Sequence, residues 1–291
     1  MNDKSRIKHL EYVKGLSFTT IAVIVLSFDA ILIRLSHMSS TSAAFWRALF
    51  AAISLTVIFF STYRSQALSM LKRGGIRILI SGSLWGTSSI FFAFAVMRAG
   101  VETALVMWSL GAFFAAAFSF IFYKIRPSLV TLLAALVALG GIVFIYRKGL
   151  GDIPLDGFLF ALAGPTLIGG HLTYLRFNKD LSRSGILMVG ATLGTIVTFF
   201  VADFNVAVGS GSLWPLAILG LFVLPFSQVL IGTGTKYAPA ADIALILSTE
   251  TIFGILYVWL FLREAPGLDF IFGAAIVFIA ITVNSLYQSK T

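Results

Sequence analysis

The chain has no cysteine in 291 residues, which excludes disulfides, thiolate metal sites and a cysteine nucleophile. Charge is scarce as well. Only 11% of the residues are charged, where a soluble domain carries about 25%, so the chain has too little polar surface to face water on all sides. Histidine occurs three times and proline seven times. No phosphate loop, zinc-ligand spacing or dinucleotide fingerprint is present. No cofactor is therefore expected, and work would be driven by a gradient and not by ATP hydrolysis in this chain.

What the chain has in quantity is hydrophobic sequence, with 58% apolar residues and a mean hydropathy of +0.97. At about 20 apolar residues per crossing, this length allows roughly ten membrane helices and almost nothing outside the bilayer. The runs are continuously apolar, whereas barrel strands would alternate over about ten residues. Hydropathy predicts helices over 15–35, 42–63, 76–98, 102–123, 128–147, 157–177, 185–206, 213–235, 240–262 and 267–287, an all-α membrane protein with ten transmembrane helices. Pro127, Pro215, Pro239 and Pro266 fall at helix starts, where a missing N–H matters little, while Pro165 and Pro225 are expected to kink their helices. No small-residue cleavage site closes the first apolar run, so the first helix is expected to be retained.

The net charge of +9 reads as topology and not as a nucleic-acid surface, because the basic residues flank the apolar runs. With the N-terminus cytoplasmic, the inner side holds Lys4, Arg6, Lys8, Lys14, Arg64, Lys72, Arg73, Arg77, Lys124, Arg126, Arg176, Lys179, Arg183, Lys236 and Lys290. The outer side holds Arg34, Arg98, Arg147, Lys148 and Arg263, and Arg47 lies within a helix. Fifteen against five puts both termini in the cytoplasm. The Arg64–Arg77 stretch is the longest polar connection and is expected at the cytoplasmic interface.

An internal repeat runs through the chain. A shift of 142 sets Gly15 on Gly157, Asp29 on His171, Arg34 on Arg176 and Ser42 on Ser184. A shift of 140 sets Ala104-Leu105 on Ala244-Leu245 and Phe113 on Phe253, and one residue of slip pairs Pro127 with Pro266 and Ile142 with Ile281. The halves, residues 1–150 and 151–291, hold five helices each. An odd number forces the second half to insert upside down relative to the first, the inverted-repeat plan of secondary transporters, which puts a substrate site near the midplane.

The Phe45-Trp46-Arg47 run opening the second helix, Ala244-Leu245-Ile246-Leu247-Ser248-Thr249-Glu250, Tyr257-Val258-Trp259-Leu260-Phe261-Leu262-Arg263-Glu264 and the last-helix run Phe272-Gly273-Ala274-Ala275-Ile276-Val277 carry a resemblance. In these stretches, and in its five-plus-five plan, the chain resembles the EamA family of the drug/metabolite transporter superfamily. Many relatives read Leu-Gly-Glu where this chain has Leu262-Arg263-Glu264, and the equivalent Phe122-Tyr123-Lys124 lacks the acid. The resemblance implies a transporter of small metabolites, commonly an exporter of amino acids or related amphipathic compounds, in a bacterial inner membrane.

A charge at the centre of a membrane helix costs about 2.5–3.5 kcal/mol on insertion scales, so each such group asks for a reason. Asp29 and Arg47 both fall in the outer half, as a gate, a carboxylate-binding arginine or a structural ion pair. His171, at the position equivalent to Asp29, could couple transport to protons or hydrogen-bond a neighbouring helix. Glu250 sits mid-span in Ser248-Thr249-Glu250-Thr251, where it could take a proton or a substrate amine, or bridge helices as a neutral acid. Ser89 and Gln228 are polar candidates on the third and eighth helices. Trp85 and Trp108 lie deeper than an interfacial belt and could wall an apolar or aromatic substrate, or simply pack, whereas Trp46, Trp214 and Trp259 read as interface anchors. Gly82-x3-Gly86 and Gly190-x3-Gly194 have the spacing for close helix approach. The expected partners are a small-molecule substrate, the lipid bilayer and protons. A lipid flippase or scramblase, or an importer of a vitamin or nucleotide-like metabolite, remains the alternative. Scattering of the ionisable groups argues against an enzyme.

Overall fold

The computed structural model describes residues 3–99, 101–146, 154–208, 211–262 and 267–288. Arg147, Lys148, Arg263, Glu264, Pro266 and Lys290 lie outside these residues. Among the described residues the chain is helical throughout: α1 Asp3–Leu26, α2 Asp29–Ser36, α3 Ser40–Tyr63, α4 Ala67–Ala99, α5 Val101–Trp108, α6 Gly111–Tyr123 and α7 Leu129–Tyr146, then α8 Leu155–Phe177, α9 Arg183–Val201, α10 Trp214–Ile218, α11 Leu224–Gly234, α12 Ala240–Leu247, α13 Glu250–Leu262 and α14 Leu268–Gln288.

Among the described residues, seven helical stretches are long and apolar enough to cross a bilayer, and two shorter apolar helices, Leu129–Phe144 and Ile271–Asn284, accompany them. One stretch, Thr41–Phe92, has 52 residues. At 1.5 Å per residue it would extend about 78 Å, more than twice a ~30 Å hydrocarbon core, so it must turn back. It does so between Arg64, with φ of 44°, and Gly75, with φ of 46°. The Arg64–Arg77 stretch is thus helical and not an open polar connection. A 3-10 turn over Arg64–Gln66 leads into α4, which begins at Ala67 and kinks at Gly75. The run Ala67-Leu68-Ser69-Met70-Leu71 is rich in helix formers, and only glycine adopts the break cheaply.

Three predicted helices are broken in mid-course. α1 stops at Leu26 and α2 starts at Asp29; α5 gives way to α6 across Ser109-Leu110; α12 gives way to α13 across Ser248-Thr249. Each break carries a hydroxyl that bonds back to the preceding turn. Ser27 Oγ donates to Val23 O at 2.7 Å, Ser109 Oγ to Val106 O at 2.7 Å, and Thr249 Oγ1 to Ile246 O at 2.7 Å. In each break the hydroxyl gives a carbonyl of the preceding turn a donor, and at Val23 and Ile246 it shares that oxygen with the backbone N–H of Ser27 and Thr249. Pro225 acts in a related way. It has no N–H for the carbonyl of Leu221, the helix widens to a π turn over Leu219–Val223, and Ser54 Oγ donates to that carbonyl at 2.7 Å. α8 runs unbroken through Pro165.

The packing repeats between halves. α4 packs on α8 and α9, α1 on α11 and α12, α6 on α8 and α12, α3 on α9 and on the π turn, and α7 on α14. Taking α1–α2, α3, α4, α5–α6 and α7 as the counterparts of α8, α9, α10–α11, α12–α13 and α14, exchanging the halves converts this set of neighbours into itself. The counterparts α3 and α9 even start alike, with Ser39 and Ser182 accepting from the backbone N–H of Ser42 and Gly185.

The tightest contact joins α4 to α9. A Cβ on Gly82 would meet Ile186 O at 2.9 Å, and one on Gly190 would meet the Gly82 carbonyl, so these helices touch through their backbones. Gly194 has more room, its nearest neighbour being the Ala48 methyl at 3.9 Å. Gly190→Val is therefore expected to lower the unfolding temperature sharply, by overpacking of about 1–3 kcal/mol or more, while Gly194→Ala should leave it nearly unchanged. Detergent-solubilised thermal unfolding distinguishes the two.

Candidate functional site

The breaks place acids. Asp29 is the first residue of α2 and Glu250 the first of α13, each directly after an interruption. A helix start exposes unpaired N–H groups and the positive end of the helix dipole, so it suits a carboxylate. The two breaks also touch each other, with Ser27 Oγ 3.4 Å from the Glu250 carbonyl.

Both acids face one chamber of about 50 Å³ at the meeting point of the two halves. Arg47 of α3, Trp85 and Ser89 of α4, Trp108 of α5 and Gln228 of α11 share its lining. Of the eight candidate residues marked by the sequence, seven line this chamber. Arg47 donates Nη2 to Asp29 Oδ2 and Nη1 to Ser89 Oγ at 3.2 Å. Trp85 Nε1 donates to Gln228 Oε1 at 3.1 Å, which ties α4 to α11. Trp108 stands edge-on to Phe92 with ring centroids 4.8 Å apart, forming an apolar wall. Asp29 Oδ1 and Arg47 Nε are buried with no hydrogen-bond partner among the described residues. Leaving such atoms unpaired is expensive unless water or a ligand reaches them. The chamber has room for roughly three waters, well under the about 300–1,000 Å³ of a typical ligand pocket, so a metabolite enters only if the helices move apart.

His171 lies elsewhere. It is 2% exposed within unbroken α8, with Nδ1 2.9 Å from Ser81 O and 3.1 Å from Ser81 Oγ. Its ring donates to a backbone carbonyl of α4 and fastens the two helices. Asp29 and His171, equivalent by sequence shift, therefore differ in setting, one at a break facing the chamber and the other clasped inside a rod.

Two further polar groupings, around Asp242 and Arg183, carry no mark in the sequence. Asp242, 2% exposed in the first turn of α12, accepts from Asn284 Nδ2 at 2.8 Å, Tyr12 OH at 3.3 Å and Thr131 Oγ1 at 3.4 Å, joining α14, α1 and α7. Arg183, counted among the topological charges, is buried and donates to the carbonyls of Gly232, Asn178 and Leu175 at 2.8–2.9 Å. It closes the C-terminal ends of α8 and α11. The available signal for Asp242 was its correspondence with Glu102 at the shift of 140. Both acids sit beside the helix ends, where a charge attracts no suspicion.

A bundle of apolar helices interrupted around a small polar chamber defines a multi-pass membrane protein of the transporter class. The sequence matches the EamA-like transporter family over residues 13–147 and 155–286. The chain belongs to that family, within the drug/metabolite transporter superfamily, and is a secondary transporter and not an enzyme. No curated protein matches it. Among solved structures, one titled only "Crystal structure of protein" is similar in fold, with a TM-score of 0.80 at 15% identity, covering 94% of this chain and 97% of that one.

Proposed function

We propose that the protein exchanges small zwitterionic or amphipathic metabolites, amino acids foremost, for protons across a bacterial inner membrane. In this reading ten helices cross the bilayer as two oppositely inserted five-helix repeats, residues 1–150 and 151–291, with both termini cytoplasmic. Alternating access opens the central chamber to each side in turn. Three features support the inverted arrangement: five helical segments per half, a neighbour set that is unchanged when the halves are exchanged, and breaks at matching points of α5–α6 and α12–α13.

The observation that carries the reading is the charge balance of the chamber, where two carboxyl groups face a single guanidinium. The chamber is neutral only when one carboxyl holds a proton or a cationic group enters, because an uncompensated charge is costly in such a place. A substrate ammonium and a proton would thus compete for Glu250 and Asp29, which is the condition for exchanging one for the other. A substrate carboxylate would compete with Asp29 for Arg47, and the tryptophans would cover the remaining apolar part. Proteoliposomes loaded with one amino acid at a time and driven by an imposed pH gradient test this. Counterflow of labelled solute is expected for at least one amino acid, and vesicles that stay silent to amino acids yet scramble lipid would refute it.

A further inference from the structure

A second cavity, about 510 Å³ and ten times the size of the chamber, opens between α6, α7, α8 and α12. It is lined by Arg126, Arg176 and Lys179 and by the hydroxyl residues Ser119, Ser128 and Thr131, with Asp242 in its floor. Among the described residues, Arg126 and Lys179 take part in no ion pair. Arg176 gives Nη1 to the carbonyls of Thr235 and Lys236, at 3.2 and 2.8 Å, and its Nε and Nη2 have no bond among the described residues. The acids that act electrostatically on Arg176 are Glu11 and Asp242, and Asp242 is already taken up by Asn284, Tyr12 and Thr131. The Lys179 ammonium is held below its ordinary pKa by partial burial and then by Arg176, with Glu11 acting in the opposite direction.

The cavity's place in the fold matters as much as its charge. Ala240, Ala241 and Asp242, at one end of α12, line it, while Leu247, at the other end, lines the central chamber. α12 has eight residues and is about 12 Å long, so this one short helix separates the two spaces. It packs against α6, whose Ala112, Ala115 and Ala116 are buried.

We infer that this vestibule is an anion-recognition site in which Arg126, Arg176 and Lys179 hold the carboxylate of a substrate before α12 yields and admits it to the chamber. The inference rests on the transport reading above and narrows its substrate class to carboxylate-bearing metabolites. Bidentate arginine and the ammonium of lysine are suited to this group, and the cavity is of metabolite size. A carboxylate in solution and the phosphate of an anionic lipid share that chemistry; the cavity is assigned to the first.

Because the chain lacks cysteine, Ser119→Cys introduces a single thiol on the vestibule wall. The full-length variant in phosphatidylcholine nanodiscs is labelled with neutral N-ethylmaleimide in sodium acetate, glycine, methylammonium chloride or sodium chloride at matched ionic strength. Acetate and glycine are expected to slow labelling severalfold relative to chloride, with no slowing by methylammonium. The protection should vanish when Arg126→Gln and Lys179→Gln are added, both being exposed positions that tolerate substitution, and persist with Lys72→Gln, an exposed cation outside the cavity lining. Equal labelling in all salts, protection that survives loss of Arg126 and Lys179, or protection that arises only with phosphatidylglycerol would each overturn the assignment. Counterflow by the unlabelled protein separates the two ideas. Transport without protection removes the vestibule site alone, and protection without transport removes the exchange reading alone.

Discussion

Replacing Glu250 by glutamine is expected to reduce proton-driven solute movement roughly tenfold or more, about 1.4 kcal/mol at the rate-limiting step, and to flatten the remaining pH dependence between about pH 5.5 and 8. The amide fills the same space at the start of α13 and keeps the turn after Ser248-Thr249, so protein yield and unfolding temperature should change little. What it removes is the one carboxyl in the chamber that Arg47 does not bond. Passive exchange of solute for solute, which needs no net proton movement, should survive better than uptake driven by a pH gradient. A variant that retains the wild-type pH profile would remove Glu250 from the coupling step. His171→Gln provides the contrast, since a residue clasped to Ser81 outside the chamber should alter stability and leave the pH profile in place.

The second large effect concerns Asp29 and Arg47. Removing one partner of a buried pair strands the other, at about 3–5 kcal/mol. Asp29→Arg and Arg47→Asp should therefore each reduce folded yield and abolish transport, and Arg47→Asp would put three acids in the chamber. The double reversal restores the pair, so it should recover much of the stability lost in either single variant, with a coupling energy of about 0.5–3 kcal/mol measured by a thermal-unfolding cycle. Transport should recover less. The swap moves the acid away from its helix start on α2 and the arginine away from Ser89. Additive losses in the double variant would show that the two side chains act independently.

Most of the chamber was legible in the sequence for one physical reason. Charged and large polar side chains are so costly in an apolar helix that the few present mark the chamber, which is why Asp29, Arg47, Gln228 and Glu250 stand out against 58% apolar composition. The breaks were not legible. Ser27, Ser109 and Ser248 interrupt runs that are apolar on both sides, and hydropathy averages across a two-residue gap. The same averaging hid the helical character of Arg64–Arg77, where charge density masked Ala67, Leu68 and Leu71. His171 carried the right chemistry for a pathway, but its partner is a backbone carbonyl, which has no residue type to read. Arg183 and Asp242 were hidden by position, since a charge at a helix end looks like topology whether it meets water or closes a neighbouring helix.

The glycine seam between α4 and α9 has one more consequence. Two rods in backbone contact cannot slide past each other without steric collision, so any movement of α4 against α9 would be a rocking about Gly82, Gly86 and Gly190. Trp85 sits between the first two of these glycines and lines one space with Arg47, Gly86 and Gly190, so these two chamber groups stand beside the seam and would be displaced least by such rocking.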